Sequence, residues 1–270
     1  LAVIPPVVDA SWLAEHTGEV VLADVRWYLD GRSGRDAYDG GHLPGAVFVD
    51  LDRWLAAEPS PSQGRHPLPQ PEVFARGMGE LGIGDAATVV AYDDAGGTIA
   101  ARLVWMLRVT GHDAALLDGG LTGWSGPLSR TPAAPAKTTF TAVGWPAERL
   151  AQLAELAGAG HLIDARQAER FRGEVEPVDA RPGHIPGAKS LPCRESVDAS
   201  GRFLPLEALR SRLAGAGIRP GDDIVAYCGS GVTACHNLVM LELAGFGPGR
   251  LYPGSWSQYA ATDLPAATGS

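Results

Sequence analysis

Two periods of apolar residues alternate along this 270-residue chain. Short, continuous apolar runs read as buried strands. In the first half they are Val20–Val25, Ala46–Leu51, Thr88–Tyr92 and Ala114–Leu117; in the second half they are His161–Ala165, Ala188–Leu191, Ile224–Tyr227 and Arg250–Tyr252. Stretches with helical spacing lie between them: Ser11–His16, Pro71–Leu81 and Thr98–Val109, then Glu148–Ala157, Pro205–Ala214 and Val232–Ala244. Strands without a polar face, alternating with helices, predict mainly parallel sheets flanked by helices, an α/β fold. Gly158 and Gly245 sit just past helical stretches, where C-cap glycines belong.

The pattern also repeats. Gly41-His42-Leu43-Pro44-Gly45-Ala46 returns as Gly183-His184-Ile185-Pro186-Gly187-Ala188, and Val89-Val90-Ala91-Tyr92 returns as Ile224-Val225-Ala226-Tyr227. Asp24-Val25-Arg26 matches Asp164-Ala165-Arg166, and Asp118-Gly119-Gly120 is echoed by Pro253-Gly254-Ser255. A repeat this long, in the same order, means two copies of a domain; solenoid units run to about 20–50 residues. We place the domains at 1–130 and 147–270, with 131–146 as a linker. That stretch is rich in proline and lacks periodicity, so it reads as a surface linker or as an extended arm packed on one domain.

Charge narrows the partners. The net charge is −9 and no basic stripe is present, which argues against nucleic acid or an anionic membrane as the main partner. An acidic protein that handles a small anion needs a local positive pocket. No run of about 18 apolar residues suggests a membrane span. The start, Leu1–Pro6, has no basic region and does not read as a signal peptide. Three cysteines, Cys193, Cys228 and Cys235, are no disulfide framework and point to a reducing, cytoplasmic setting. With no CxxC pair, a structural zinc site is not expected.

One loop carries the chemistry. The strand Ile224–Tyr227 runs directly into Cys228-Gly229-Ser230-Gly231-Val232-Thr233-Ala234 and then into a helix. In parallel sheets, ligands bind beyond the carboxyl ends of strands. Two glycines let the loop curl, so that backbone N–H groups converge on the sulfur and favour the thiolate or a persulfide anion. Ser230 and Thr233 add hydroxyls. The bland alternative is an inert cysteine buried in a strand-to-helix turn. The first copy has Asp93 where the second has Cys228, so one copy is competent and the other is a scaffold.

The Cys-Gly-Ser-Gly-Val-Thr-Ala loop resembles the active-site loop of 3-mercaptopyruvate sulfurtransferases. The two Gly-His-(Leu/Ile)-Pro-Gly-Ala segments and Gly254-Ser255-Trp256 resemble motifs of the rhodanese superfamily. The resemblance spans nearly the whole chain and implies two tandem rhodanese-like domains. Thiosulfate sulfurtransferases, close relatives, carry a basic residue after the cysteine, where this chain has Gly229. The resemblance further implies sulfur transfer from a small anionic donor through a Cys228 persulfide to a thiophilic acceptor: cyanide, a thiol or thioredoxin. No metal or organic cofactor is needed for that chemistry.

The same resemblance supplies partners for the cysteine. Ser230, His66 and Asp52 match the family's Ser-His-Asp relay, which places the site in a cleft between the domains. A histidine shuttles protons near neutral pH, and a carboxylate fixes its tautomer. Arg170 matches a carboxylate-binding arginine, with Arg181 expected as the second and Arg172 as its substitute. Gly229, Gly231, Val232 and Thr233 complete the expected substrate-binding loop. On residues alone, a loop histidine such as His66 is more often solvated than functional, Asp50 and Asp52 read as helix caps as well, and the arginines as surface ion pairs. His42 and His184 recur in both copies and read as structural, as do Asp24 with Arg26 and Asp164 with Arg166. Cys235 reads as packed and Cys193 as bland. A phosphatase of this shape needs Cys-x5-Arg, and Ala234 stands at the arginine position. A non-catalytic binding module is the remaining rival, opposed by the intact cysteine, serine and arginines.

Overall fold

In the computed structural model, residues 4–270 are described and the chain divides into two compact units. The first takes the described residues up to Ala57, with Pro69–Trp145 and Asp198–Phe203; the second takes Glu58–Leu68, Pro146–Val197 and Leu204–Ser270. Two short segments thus belong to a unit other than the one their place in the chain suggests. The stretch expected as a linker packs on the first unit. Phe140 is buried, Thr138 N–H donates to the Gly79 carbonyl, and Trp145 Nε1 donates to the Pro69 carbonyl.

The first unit holds strands β1 (Val7–Val8), β2 (Val20–Asp24), β3 (Val47–Phe48), β4 (Thr88–Tyr92) and β5 (Ala114–Leu117). They form one sheet in the order β1-β5-β4-β2-β3, every pair parallel. Helices α1 (Ala10–Glu15), α2 (Gly34–Gly40), α3 (Pro71–Glu80) and α4 (Ala101–Val109) join them. Pro71 suits the first turn of α3, where its missing N–H costs nothing. β4 and β5 are buried almost throughout, which explains their unbroken apolar runs.

The second unit repeats this plan with β6 (His161–Asp164), β7 (Lys189–Ser190), β8 (Ile224–Tyr227) and β9 (Arg250–Leu251), in the order β7-β6-β8-β9 and again all parallel. Its helices are α5 (Ala168–Phe171), α6 (Leu206–Gly215), α7 (Ala234–Ala244) and α8 (Ser255–Tyr259). α7 is buried on almost every side; Leu238, Val239, Met240 and Leu241 each contribute about 1.5–3 kcal/mol. Gly245 ends it in the left-handed region, as expected. The helix expected at Glu148–Ala157 does not form as one piece. Two tight turns, Ala147–Arg149 and Leu153–Gly158, flank an extended pair. Leu150 bridges Leu251 in parallel, and Ala151 N–H donates to the Leu251 carbonyl, so the sheet edge wins over helical periodicity. Gly158 is the last residue of the second turn, and Ala159 is its cap.

The recurring residues are structural, as their presence in both copies implied. Arg26 clamps Asp24 and reaches the Gly41 carbonyl at 2.8 Å; Arg166 clamps Asp164 and reaches the Gly183 carbonyl at 2.7 Å. His42 Nδ1 lies 2.8 Å from the Tyr38 carbonyl with its ring stacked on Tyr38. His184 Nδ1 lies 2.7 Å from the Phe171 carbonyl with its ring stacked on Phe171. Leu43 and Ile185 each donate a backbone N–H to a buried hydroxyl, of Tyr92 and Tyr227 respectively.

Candidate active site

Cys228 is the first residue beyond β8, the carboxyl-end position that the parallel sheet favours for chemistry. Its sulfur accepts the Gly231 N–H at 3.1 Å. Gly231 adopts φ +79°, and a Cβ there would lie 2.6 Å from the Pro253 carbonyl oxygen, so only glycine closes this turn. The first turn of α8 anchors the loop from behind. Ser255 Oγ accepts the Cys228 N–H at 3.1 Å, and the N–H groups of Trp256 and Ser257 donate to the carbonyls of Cys228 and Gly229, both at 2.9 Å. Ser255 does this at φ +51°, among the described residues the one non-glycine with positive φ. That strain sits beside Cys228.

The excursion Glu58–Leu68 brings His66 into the same unit as Cys228. Gly64 makes it possible: its φ is +88°, and a Cβ would lie 2.5 Å from the Gly254 carbonyl oxygen. Arg65 N–H donates to Ser257 Oγ at 3.0 Å, and Gln258 Nε2 donates to the Ser62 carbonyl. His66 and Ser230 are both buried, and His66 Nδ1 lies 2.8 Å from Ser230 Oγ. The structure thus brings these two expected side chains within hydrogen-bond distance of each other. Asp52 belongs to the first unit, exposed in the wide helical turn Leu51–Leu55, and accepts the Trp27 Nε1–H at 3.0 Å. Asp50 caps that turn by accepting the Arg53 N–H.

Of the expected arginines, Arg170 reaches the loop and the others do not. A Cβ at Gly229 would stand 3.6 Å from Arg170 Nη1. Arg181 instead donates through Nη2 to the carbonyls of Tyr259 and Leu264, tying down the end of α8. Arg172 forms a solvent-exposed pair with Glu174. The residue that joins Arg170 is Arg65, whose Nη2 lies 2.9 Å from the same Gly229 Cβ position. Its signal in the sequence was adjacency to His66 and nothing more. Gly229 has no positive φ; what it provides is room for two guanidinium groups.

Carboxylates hold these cations from the far side. Glu176 pairs with Arg170 at 2.6 Å and Arg166 at 3.3 Å, and accepts the N–H groups of Val178 and Asp179. Burial opposes its charge, but Arg170 and the backbone donors outweigh that and keep its carboxyl below the usual range. Asp179 bridges Arg65 and Arg170, and burial pushes its carboxyl above the usual range. Val232 is buried, and Thr233 precedes α7. Cys193 is buried with the Thr233 side chain and Cys228 nearby, and burial pushes its thiol up to about 12. Cys235 is packed, its thiol donating to the Gly231 carbonyl. A separate groove of about 540 Å³ in the first unit is lined by residues such as Leu13, Val20, Leu43 and Trp124. It holds no nucleophile and no charged side chain.

Comparison with known proteins gives the family. The family model of the rhodanese-like domain matches residues 9–127 and again 147–262. The chain belongs to the rhodanese-like domain family. Among its rhodanese relatives, a probable 3-mercaptopyruvate sulfurtransferase of Pseudomonas aeruginosa is 42% identical, the match covering 96% of this chain and 97% of that one. SseB of Mycobacterium tuberculosis, a candidate thiosulfate sulfurtransferase, is 40% identical over 90% of this chain and 88% of its own. The crystal structure of SseA from Escherichia coli, described with the rhodanese fold of 3-mercaptopyruvate sulfotransferases, superimposes with a TM-score of 0.82 at 34% identity, covering 94% of this chain and all of that one. Among the described residues, no helix is long and apolar enough to cross a membrane.

Proposed function

We propose that this protein is a sulfurtransferase that takes sulfur from 3-mercaptopyruvate onto Cys228 and passes it to a thiophilic acceptor. The observation that carries the reading is the Ser230–His66 hydrogen bond of 2.8 Å, made on the loop whose Gly231 N–H is already aimed at the Cys228 sulfur. A nucleophile with a proton relay beside it is what cleavage of a carbon–sulfur bond requires.

The Cys228 thiolate attacks the donor sulfur and the S–C bond breaks. Its electron pair leaves on the enolate of pyruvate. The donor's thiol proton passes through Ser230 and His66 to the enolate carbon. Pyruvate and a Cys228 persulfide anion remain, the anion stabilised by the loop N–H groups. Arg65 and Arg170 hold the donor carboxylate. In the second half, an acceptor such as cyanide, a small thiol or reduced thioredoxin takes the outer sulfur, and the Cys228 thiolate returns. The three cysteines, none of them in a disulfide, fit a reducing, cytoplasmic setting.

One observation favours thiosulfate as a second donor. Arg65 brings a cation to Gly229, the position at which thiosulfate sulfurtransferases carry a basic side chain. There the Cys228 thiolate takes the outer sulfur, and sulfite departs with the electron pair of the broken S–S bond. Steady-state turnover of both donors by one preparation, with Cys228→Ser and Ser230→Ala controls, tests the reading. We expect a higher kcat/KM for 3-mercaptopyruvate, abolished by Cys228→Ser, with Ser230→Ala lowering kcat for that donor about 100-fold. A preference for thiosulfate that Ser230→Ala leaves untouched makes thiosulfate the principal donor. Turnover of neither donor removes the reading.

A further inference from the structure

The two carboxylates behind the arginines are held in different ways. Glu176 is tied by two arginines and two backbone N–H groups, a permanent part of the frame. Asp179 has no backbone donor to its carboxylate. Its two oxygens go one each to Arg65 and Arg170, the same two guanidinium groups that converge on Gly229. The Asp179 side chain is only 4% exposed, although it lies in an irregular segment whose neighbours Val178 and Ala180 face solvent. Arg65 has a buried Nε without a partner, so its guanidinium is not saturated by Asp179. A carboxylate that bridges two cations beside the catalytic loop presents the chemistry expected of a donor's carboxylate.

We propose that Arg65 is a donor-binding residue that works with Arg170, and that Asp179 is a resident carboxylate which occupies this anion clamp in the empty enzyme and is replaced there by the donor. The inference rests on the proposed sulfur-transfer site and deepens it. With Asp179 in place, the clamp carries no excess positive charge, since Asp179 and Glu176 offset the two partly buried guanidinium groups. An incoming carboxylate then competes with an internal one. Donor affinity is set by that exchange as well as by the number of arginines, and Asp179 determines how readily a given anion enters.

Binding of pyruvate, the carboxylate product, measured calorimetrically on the full chain separates this inference from the turnover reading. Wild type, Asp179→Asn, Asp179→Ser and Arg65→Gln are compared, with thermal unfolding to show that each is folded. We expect both Asp179 variants to bind pyruvate about 3- to 10-fold more tightly and to lower KM for 3-mercaptopyruvate in parallel. Arg65→Gln weakens pyruvate binding about 10-fold or more. If both Asp179 variants leave pyruvate affinity unchanged or weaken it, Asp179 serves only to position the arginines and the inference fails. It fails equally if Arg65→Gln has no effect. A wild type that binds pyruvate with the predicted pattern yet does not turn over 3-mercaptopyruvate removes the proposed function and leaves the anion clamp standing.

Discussion

The residue after β4 is Asp93, and the residue after β8 is Cys228; the two stand at the same point of a duplicated fold. The Asp93 carboxylate is fully buried and accepts four backbone N–H groups, from Ala95, Gly97, Ile99 and Ala100, at 2.7–2.9 Å. Burial pushes its carboxyl up, against the pull of those four donors. The Cys228 sulfur takes the Gly231 N–H in the matching loop. Behind each residue a chain segment closes in the same way: Leu121 N–H donates to the Asp93 carbonyl at 2.8 Å, and Trp256 N–H to the Cys228 carbonyl at 2.9 Å. The comparison teaches that this loop aims backbone N–H groups at the side chain of the first residue after the strand. In one copy that side chain is a fixed carboxylate that stabilises the fold. In the other, under the proposed function, it is a sulfur that accepts and releases a second sulfur.

Exchanging the two residues is the sharpest way to break that comparison. Cys228→Asp is expected to lower sulfur transfer by about four orders of magnitude or more while changing folding stability by about 1 kcal/mol or less, read from turnover and urea unfolding. A large loss of stability in that variant would show that the loops are not equivalent. The converse, Asp93→Ala, leaves four buried N–H groups without their acceptor. Its expected cost is about 3–5 kcal/mol in urea unfolding, in the first unit. Asp93→Cys should gain no sulfur transfer, because the neighbouring Asp94 and Ala95 supply neither the hydroxyl of Ser230 nor a histidine partner. The smallest effect belongs to the closing segments. Gly120 has φ +50° where Ser255 has φ +51°, so Ser255→Gly relieves strain but removes the hydroxyl on the Cys228 N–H. Stability should move by about 1 kcal/mol or less, with kcat reduced several-fold.

Much of this was legible in the residues. The unbroken apolar runs Thr88–Tyr92, Ala114–Leu117 and Ile224–Tyr227 are strands with those bounds, because each is buried on both faces and no polar alternation blurs its ends. β3 and β7 are shorter than their runs, since their pairing partners end at Asp24 and Asp164. Cys228, Ser230 and His66 could be named, and two of them are hydrogen-bonded to each other. Arg65 could not, because Glu58–Leu68 has no periodicity and its arrival beside Gly229 depends on the path of the chain. Arg181 and Arg172 have the right chemistry but spend it on the Tyr259 and Leu264 carbonyls and on Glu174. The helix expected at Glu148–Ala157 yielded to the edge of the second sheet, a tertiary preference that local spacing does not express.

The most direct test of the account is to locate the transferred sulfur. The protein is mixed with one equivalent of 3-mercaptopyruvate in the absence of acceptor, quenched, and mapped by peptide mass spectrometry with a persulfide-trapping reagent. The account predicts one added sulfur on the peptide bearing Cys228, released on addition of cyanide, and none on Cys193, whose thiol burial pushes up to about 12 and so keeps protonated. Sulfur on Cys193 or Cys235 instead, or a protein that consumes the donor without gaining sulfur, would contradict it.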